Sequence, residues 1–178
     1  IDKNMRLYFA TDIHGSERCF RKFVNASKVY KADVTIIGGD LTGKAIVPFI
    51  VKTDGSILID YFGKKITINS KEQELKYYNE ICDYGYYPYK VDEGAYLDFI
   101  QDRAKIADTF LKLMKERLEE WITVLEKELN GISVVINAGN DDPFEIDQVL
   151  DSSSAIIHPE GKVIELNCHE MISTGYAN

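Results

Sequence analysis

Three short apolar runs, Met5–Ala10, Asp33–Ile37 and Ile132–Ile136, each stop at a loop of glycine and acidic or amide residues. The loops read Thr11-Asp12-Ile13-His14-Gly15, Gly38-Gly39-Asp40 and Ala138-Gly139-Asn140-Asp141-Asp142-Pro143. Brief apolar runs bounded by turn signals mark short strands. Between the first two, Ser16 is placed to cap a helix, with Glu17 in its first turn and Phe20, Phe23, Val24 and Ser27 at helical spacing up to about Tyr30. Strand, helix, strand in succession is a βαβ unit, so the predicted class is α/β with a largely parallel sheet. Ligands of such sheets gather beyond the C-terminal ends of the strands, which brings all three loops to one edge.

The middle of the chain departs from this rhythm. Ala45–Val51 and Ser56–Asp60 read as strands joined by Lys52-Thr53-Asp54-Gly55, with Lys65–Ile68 as a third, a β-hairpin or small meander. A helix is predicted from Ser70 to about Asp83, and Gly85-Tyr86-Tyr87-Pro88-Tyr89 interrupts it. One long helix follows from about Gly94 to Leu129, its buried stripe running through Leu97, Ile100, Phe110, Leu118, Trp121 and Leu125 to an Asn130-Gly131 cap. Beyond the third strand come a short helix through Phe144 to Leu150 and strands at Ala155–Ile157, Lys162–Leu166 and Glu170–Ser173. The expectation is one domain over residues 1–178, with a β-hairpin plus helical insertion at about 44–131. The insertion's tyrosines between Tyr77 and Tyr89 are expected to pack on the adjoining helix, and its long helix to serve as core or as a face for a homo-oligomer.

The 178 residues, 45% apolar, suffice for an ordinary core. Twenty-one basic against 29 acidic residues leave a net charge of −8, which disfavours broad nucleic-acid binding and anionic membrane surfaces. A small anionic substrate held through a metal stays compatible with that charge. The apolar runs are too short to cross a bilayer. Cys19, Cys82 and Cys168 form no metal-binding or disulfide spacing, and three reduced thiols predict a cytoplasmic protein.

The loops carry the chemistry. Asp12 and His14 are two apart, and strand side chains at i and i+2 point to the same side, so a carboxylate and an imidazole can grip one divalent ion. Asp40 adds a carboxylate with lone pairs enough to bridge two ions about 3.5 to 4 Å apart, and Asn140 adds an amide oxygen. In order, Asp12-Ile13-His14, Gly39-Asp40-Leu41-Thr42-Gly43 and Gly139-Asn140-Asp141-Asp142 resemble the D-x-H, G-D-x-x-G and G-N-H-[DE] motifs of the calcineurin-like metallophosphoesterase superfamily. The resemblance implies that family's α/β sandwich and two divalent ions such as Mn, Fe or Zn. Asp12 and His14 would hold the first, Asp40 would bridge, and Asn140 would hold the second. A metal-bridging hydroxide would then hydrolyse a small phosphate mono- or diester.

The chain departs from the family in two places. Asp141 stands where the family has a histidine that assists the leaving group, and an aspartate could donate a proton there only with a raised pKa. The family's later histidines, ending in G-H-x-H, have no counterpart before Asn178. His158 and His169 are expected at the surface or in turns. The chain is therefore expected to be either the front part of a longer protein or a reduced member of the family. A non-catalytic scaffold that keeps the fold for protein interaction is the alternative.

Overall fold

The computed structural model describes residues 4–176. Within it β1 (Leu7–Ala10), α1 (Glu17–Val29) and β2 (Val34–Ile37) form the expected βαβ unit, with β1 and β2 parallel. Ser16 caps α1 as expected, its hydroxyl accepting the Cys19 N–H at 3.2 Å. Phe20, Phe23, Val24 and Ser27 are the buried face of that helix. Each large apolar side chain so buried contributes about 1.5–3 kcal/mol. Ser27 is satisfied in the core by donating to the Phe23 carbonyl at 2.9 Å and by sharing a hydrogen bond with Thr35 at 2.8 Å.

The chain next builds a second sheet from β3 (Ile46–Val51), β4 (Ile57–Tyr61) and β5 (Lys64–Ile68), paired antiparallel in turn. Helix α2 (Lys71–Asp83), capped by Ser70, and β6 (Tyr87–Asp92) follow. Strand β6 was not anticipated, because Gly85 and Pro88 read as a break. It lies parallel to β3 at the edge of a sheet of order β5-β4-β3-β6, where a proline's missing N–H is tolerated. Val47, Phe49, Ile57, Ile59, Tyr61, Ile68 and Ile81 fill this sheet's own core.

The single helix expected over 94–129 is two, α3 (Glu93–Gln101) and α4 (Arg103–Glu128). The break falls at Asp102, whose carboxylate accepts the Lys105 N–H at 3.0 Å and starts a new helix. The expected stripe does not continue into α3, where Phe99 is buried while Leu97 and Ile100 are exposed. The C-terminal half of α4 is a wall of the main core: Leu118, Trp121, Ile122 and Leu125 join Phe20, Phe23 and Val24, and Trp121 stacks on Phe20 with centroids 4.4 Å apart. It is the crossover helix into β7 (Ser133–Ile136), which pairs parallel with β2.

The first sheet is thus β1-β2-β7, all parallel, with β2 central and in register from Phe9 through Ile36 to Val135. Both crossover helices cover one face. A 3₁₀ turn at Phe144–Ile146, α5 (Asp147–Ser152) and the antiparallel hairpin of β8 (Val163–Leu166) and β9 (His169–Ile172) complete the fold. Leu166 of the hairpin covers Val34, Ile36 and Val135 on the opposite face. The strand expected at Ala155–Ile157 reduces to one parallel bridge, Ile157 to Val135. The described residues form a mixed α/β fold of five α-helices and nine strands, its sheets partly parallel. No helix among them is long and apolar enough to cross a membrane. Cys19, Cys82 and Cys168 are all free thiols.

Candidate metal centre

The loops after β1 and β2 are zipped together by their backbones. Asp12, His14 and Gly15 donate N–H groups to the carbonyls of Gly39, Asp40 and Leu41 at 3.1, 2.8 and 2.7 Å. Asp12, His14 and Asp40 all sit in the left-handed region, with φ of 57°, 46° and 51°. Non-glycine residues there each cost about 1–2 kcal/mol, and such strain gathers at functional sites. The expected pairing of Asp12 with His14 therefore occurs for a different reason than strand alternation. Both residues lie beyond the strand, and matched left-handed turns aim them together while Ile13 between them is buried.

Asp12, His14 and Asp40 offer ligand atoms that all lie within 4.8 Å of one another. His14 Nε2 stands 3.7 Å from Asp12 Oδ1 and 3.8 Å from Asp40 Oδ2. Those separations are too long for hydrogen bonds. They suit donors around one ion with bonds of about 2.0–2.2 Å, which sets neighbouring donors roughly 3–4 Å apart. The ring's Nδ1 is buried and has no partner among the described residues, and Nε2 is the atom that faces the two carboxylates. The donor set, two carboxylates and an imidazole, fits a divalent transition ion.

The third loop meets the second from the end of β7. Gly139 lies so close to Asp40 that a side chain in its place would run into the Asp40 carboxylate. The Asp141 N–H donates to Asp40 Oδ1 at 3.3 Å, and Asn140 is exposed beside it. Asp141 itself pairs with Lys44, 3.0 Å away. The Lys44 ammonium holds the Asp141 carboxyl below the usual carboxylate range, and the pairing raises Lys44 in turn. This is the reverse of the shift that a proton donor at position 141 needs.

Three supporting residues lie outside the candidate set. Asp142 is buried and accepts four hydrogen bonds, from Thr42 N–H and Oγ1–H at 2.8 and 2.7 Å and from Leu41 and Gly139 N–H at 2.9 and 2.8 Å. It staples the second loop to the third. Arg117 of α4 is buried, donates to the Gly15 carbonyl at 2.9 Å, and lies over the Tyr87 ring. Lys44 directly follows the G-D-x-x-G motif, the one signal in the sequence that could have marked it.

Of the insertion's tyrosines, Tyr87 and Tyr89 pack on helices as expected, against Phe110 and Phe99, whereas Tyr78 and Tyr84 are exposed and Tyr86 packs on Tyr61 and Phe62 instead. Tyr87 is fully buried, its hydroxyl accepts the Gly43 N–H at 3.0 Å, and burial pushes its pKa up. Gly85 sits at φ 84°, and a Cβ there would strike the His14 carbonyl. Gly85→Ala is expected to destabilise the protein by about 2–3 kcal/mol, since strain and collision add. Urea unfolding of the purified variant checks this, and a loss below 0.5 kcal/mol would show the seam between insertion and loop to be loose.

The later histidines do not join the cluster. His158, expected at the surface, is buried, with Nδ1 at 3.0 Å from Asp151 and Nε2 at 3.6 Å from Asp147. His169 is exposed on β9. No protein-family model, no curated protein and no solved structure matches the chain.

Proposed function

We propose that the protein is a metal-dependent phosphoesterase of the calcineurin-like metallophosphoesterase type, an α/β sandwich that hydrolyses a small phosphate mono- or diester. The observation that carries this reading is the convergence of Asp12, His14 and Asp40, all in strained left-handed backbone, at the C-terminal edge of a parallel sheet. Asp12, His14 and Asp40 would hold one divalent ion, while Asp40 and Asn140 offer donors toward a second. Bound ions supply positive charge to the phosphoryl oxygens and acidify water for attack on phosphorus.

The chain's own residues supply position and charge. The Asp141 N–H orients Asp40, Asp142 holds the loops in register, and Arg117 fixes the His14–Gly15 backbone from behind. Lys44 offers its ammonium to the incoming phosphoryl group in exchange for Asp141. Lys44→Ala should raise KM for a phosphate monoester about 5–20-fold, and Lys44→Arg should restore most of the loss, because the contact is charge-assisted but solvent-exposed. Steady-state kinetics beside a metal assay checks this; an unchanged KM removes Lys44 from substrate binding.

The direct test of function uses protein supplied with Mn²⁺, Fe²⁺ or Zn²⁺ and offered p-nitrophenyl phosphate and bis-p-nitrophenyl phosphate. Hydrolysis that stops with EDTA and returns with the ion is expected. Tight metal binding without hydrolysis of either ester would instead point to a scaffold.

A further inference from the structure

Beside the donor cluster lies a groove of about 500 Å³, which meets the loops only at its inner end. We propose that it binds the alcohol moiety of the ester, and that this moiety is apolar and carries no second anionic group. The proposal rests on the phosphoesterase reading above.

One wall is the N-terminal half of α4, with Ala107, Phe110, Leu111 and Met114, and Pro143 faces it from the loop after β7. The inner end of the groove is Asp141 and Asp142. Asp141 touches Asp40 through its N–H, and Asp142 fixes the loop that carries Gly139. An ester whose phosphorus sits at the donor cluster therefore has this groove open to its leaving group. The volume is that of a small-molecule site, and an apolar lining interrupted by a few polar groups is the usual pattern.

The walls differ in stiffness. Phe110 meets Tyr87 edge-on, with centroids 5.6 Å apart at 76°, and Tyr87 is itself fixed by its hydrogen bond to Gly43. That side is rigid, suited to a flat or branched hydrocarbon. Met114 adds a flexible thioether that adapts to the shape it meets.

Charge narrows the class further. The charged residues lining the groove, Asp108, Glu145, Asp141 and Asp142, are all acidic. Lys44, paired with Asp141, is the cation at its inner end. A second phosphate or carboxylate on the alcohol would face these acids without a partner. An apolar or cationic alcohol would not.

Isothermal titration of the Mn²⁺-loaded protein with three unreactive phosphonates tests this. Phenylphosphonate is expected to bind at least tenfold more tightly than methylphosphonate, from burial of the ring. 4-Carboxyphenylphosphonate is expected to lose at least that gain. Ala107→Trp, at an exposed helical position, should fill the groove and abolish the advantage of the phenyl group. It should leave methylphosphonate affinity and Mn²⁺ stoichiometry unchanged, which separates a blocked groove from a misfolded chain. Equal binding of phenyl- and methylphosphonate overturns the groove assignment alone. So does an Ala107→Trp variant that keeps the phenyl advantage, or one whose effect is loss of self-association in sedimentation. Failure of the wild type to bind Mn²⁺ and methylphosphonate overturns the phosphoesterase reading and the groove with it.

Discussion

Asp142→Asn is expected to lower the melting temperature by about 6–12 °C, the shift that corresponds to about 3 kcal/mol in a chain of this length. Asp142 Oδ1 accepts both the N–H and the hydroxyl of Thr42, and Oδ2 accepts the N–H groups of Leu41 and Gly139. A carboxylate only accepts, so all four donors are satisfied. An asparagine side chain keeps one oxygen and turns an amino group toward two of those donors, whichever way it is flipped. Two lost charge-assisted bonds, with their donors left buried, account for the magnitude. Calorimetry and urea unfolding should agree on it. The loops that Asp142 joins carry the metal donors, so Mn²⁺ affinity should also fall about 10–100-fold, as for other outer-shell partners. A melting shift under 2 °C would mean that the loops are held by something other than this carboxylate.

Asp40→Asn should have the opposite profile. Asn tolerates the left-handed backbone that Asp40 adopts at φ 51°, so the fold survives. The charge facing His14 Nε2 at 3.8 Å is lost, and with it the donor shared by both proposed ions. Hydrolysis should drop on the order of 10³-fold, equivalent to about 4 kcal/mol of transition-state stabilisation. Metal-free stability should hold or rise, because a carboxylate leaves a crowded acidic cluster. Parallel measurement of Mn²⁺ stoichiometry, turnover and metal-free unfolding checks this. Turnover within tenfold of wild type would end the assignment of Asp40 as a metal ligand.

How much of this was legible in the sequence depended on the range of the interactions. Strands β1, β2 and β7, helix α1 with its Ser16 cap, and the loops carrying Asp12, His14, Asp40 and Asn140 were readable because each is announced by its neighbours: an apolar run, then a polar turn. Strand β6 was hidden because Pro88 is a breaker in most contexts and acceptable only at a sheet edge, which sequence does not display. The division at Asp102 was hidden because apolar residues continue on both sides, and only the capping carboxylate marks the break. The middle segment read as an insertion whose long helix would serve as core or as an oligomer face, and α4 from Leu118 onward is a wall of the main core. Asp142, Lys44 and Arg117 escaped notice as supports because their partners are distant in sequence.

That last property governs when the protein becomes complete. The bonds from Asp142 to Leu41 and Thr42 span about a hundred residues, as do those from Arg117 to Gly15 and from Trp121 to Glu17. Closing such long loops is entropically slow, and it must precede the contacts that reward it. A chain emerging from the ribosome presents Asp12, His14 and Asp40 early, but the staple that sets their loops arrives only with residue 142. If the cluster holds an ion as proposed, its capture is a late event in the maturation of the chain, and affinity for the ion would report whether β7 and its loop have docked.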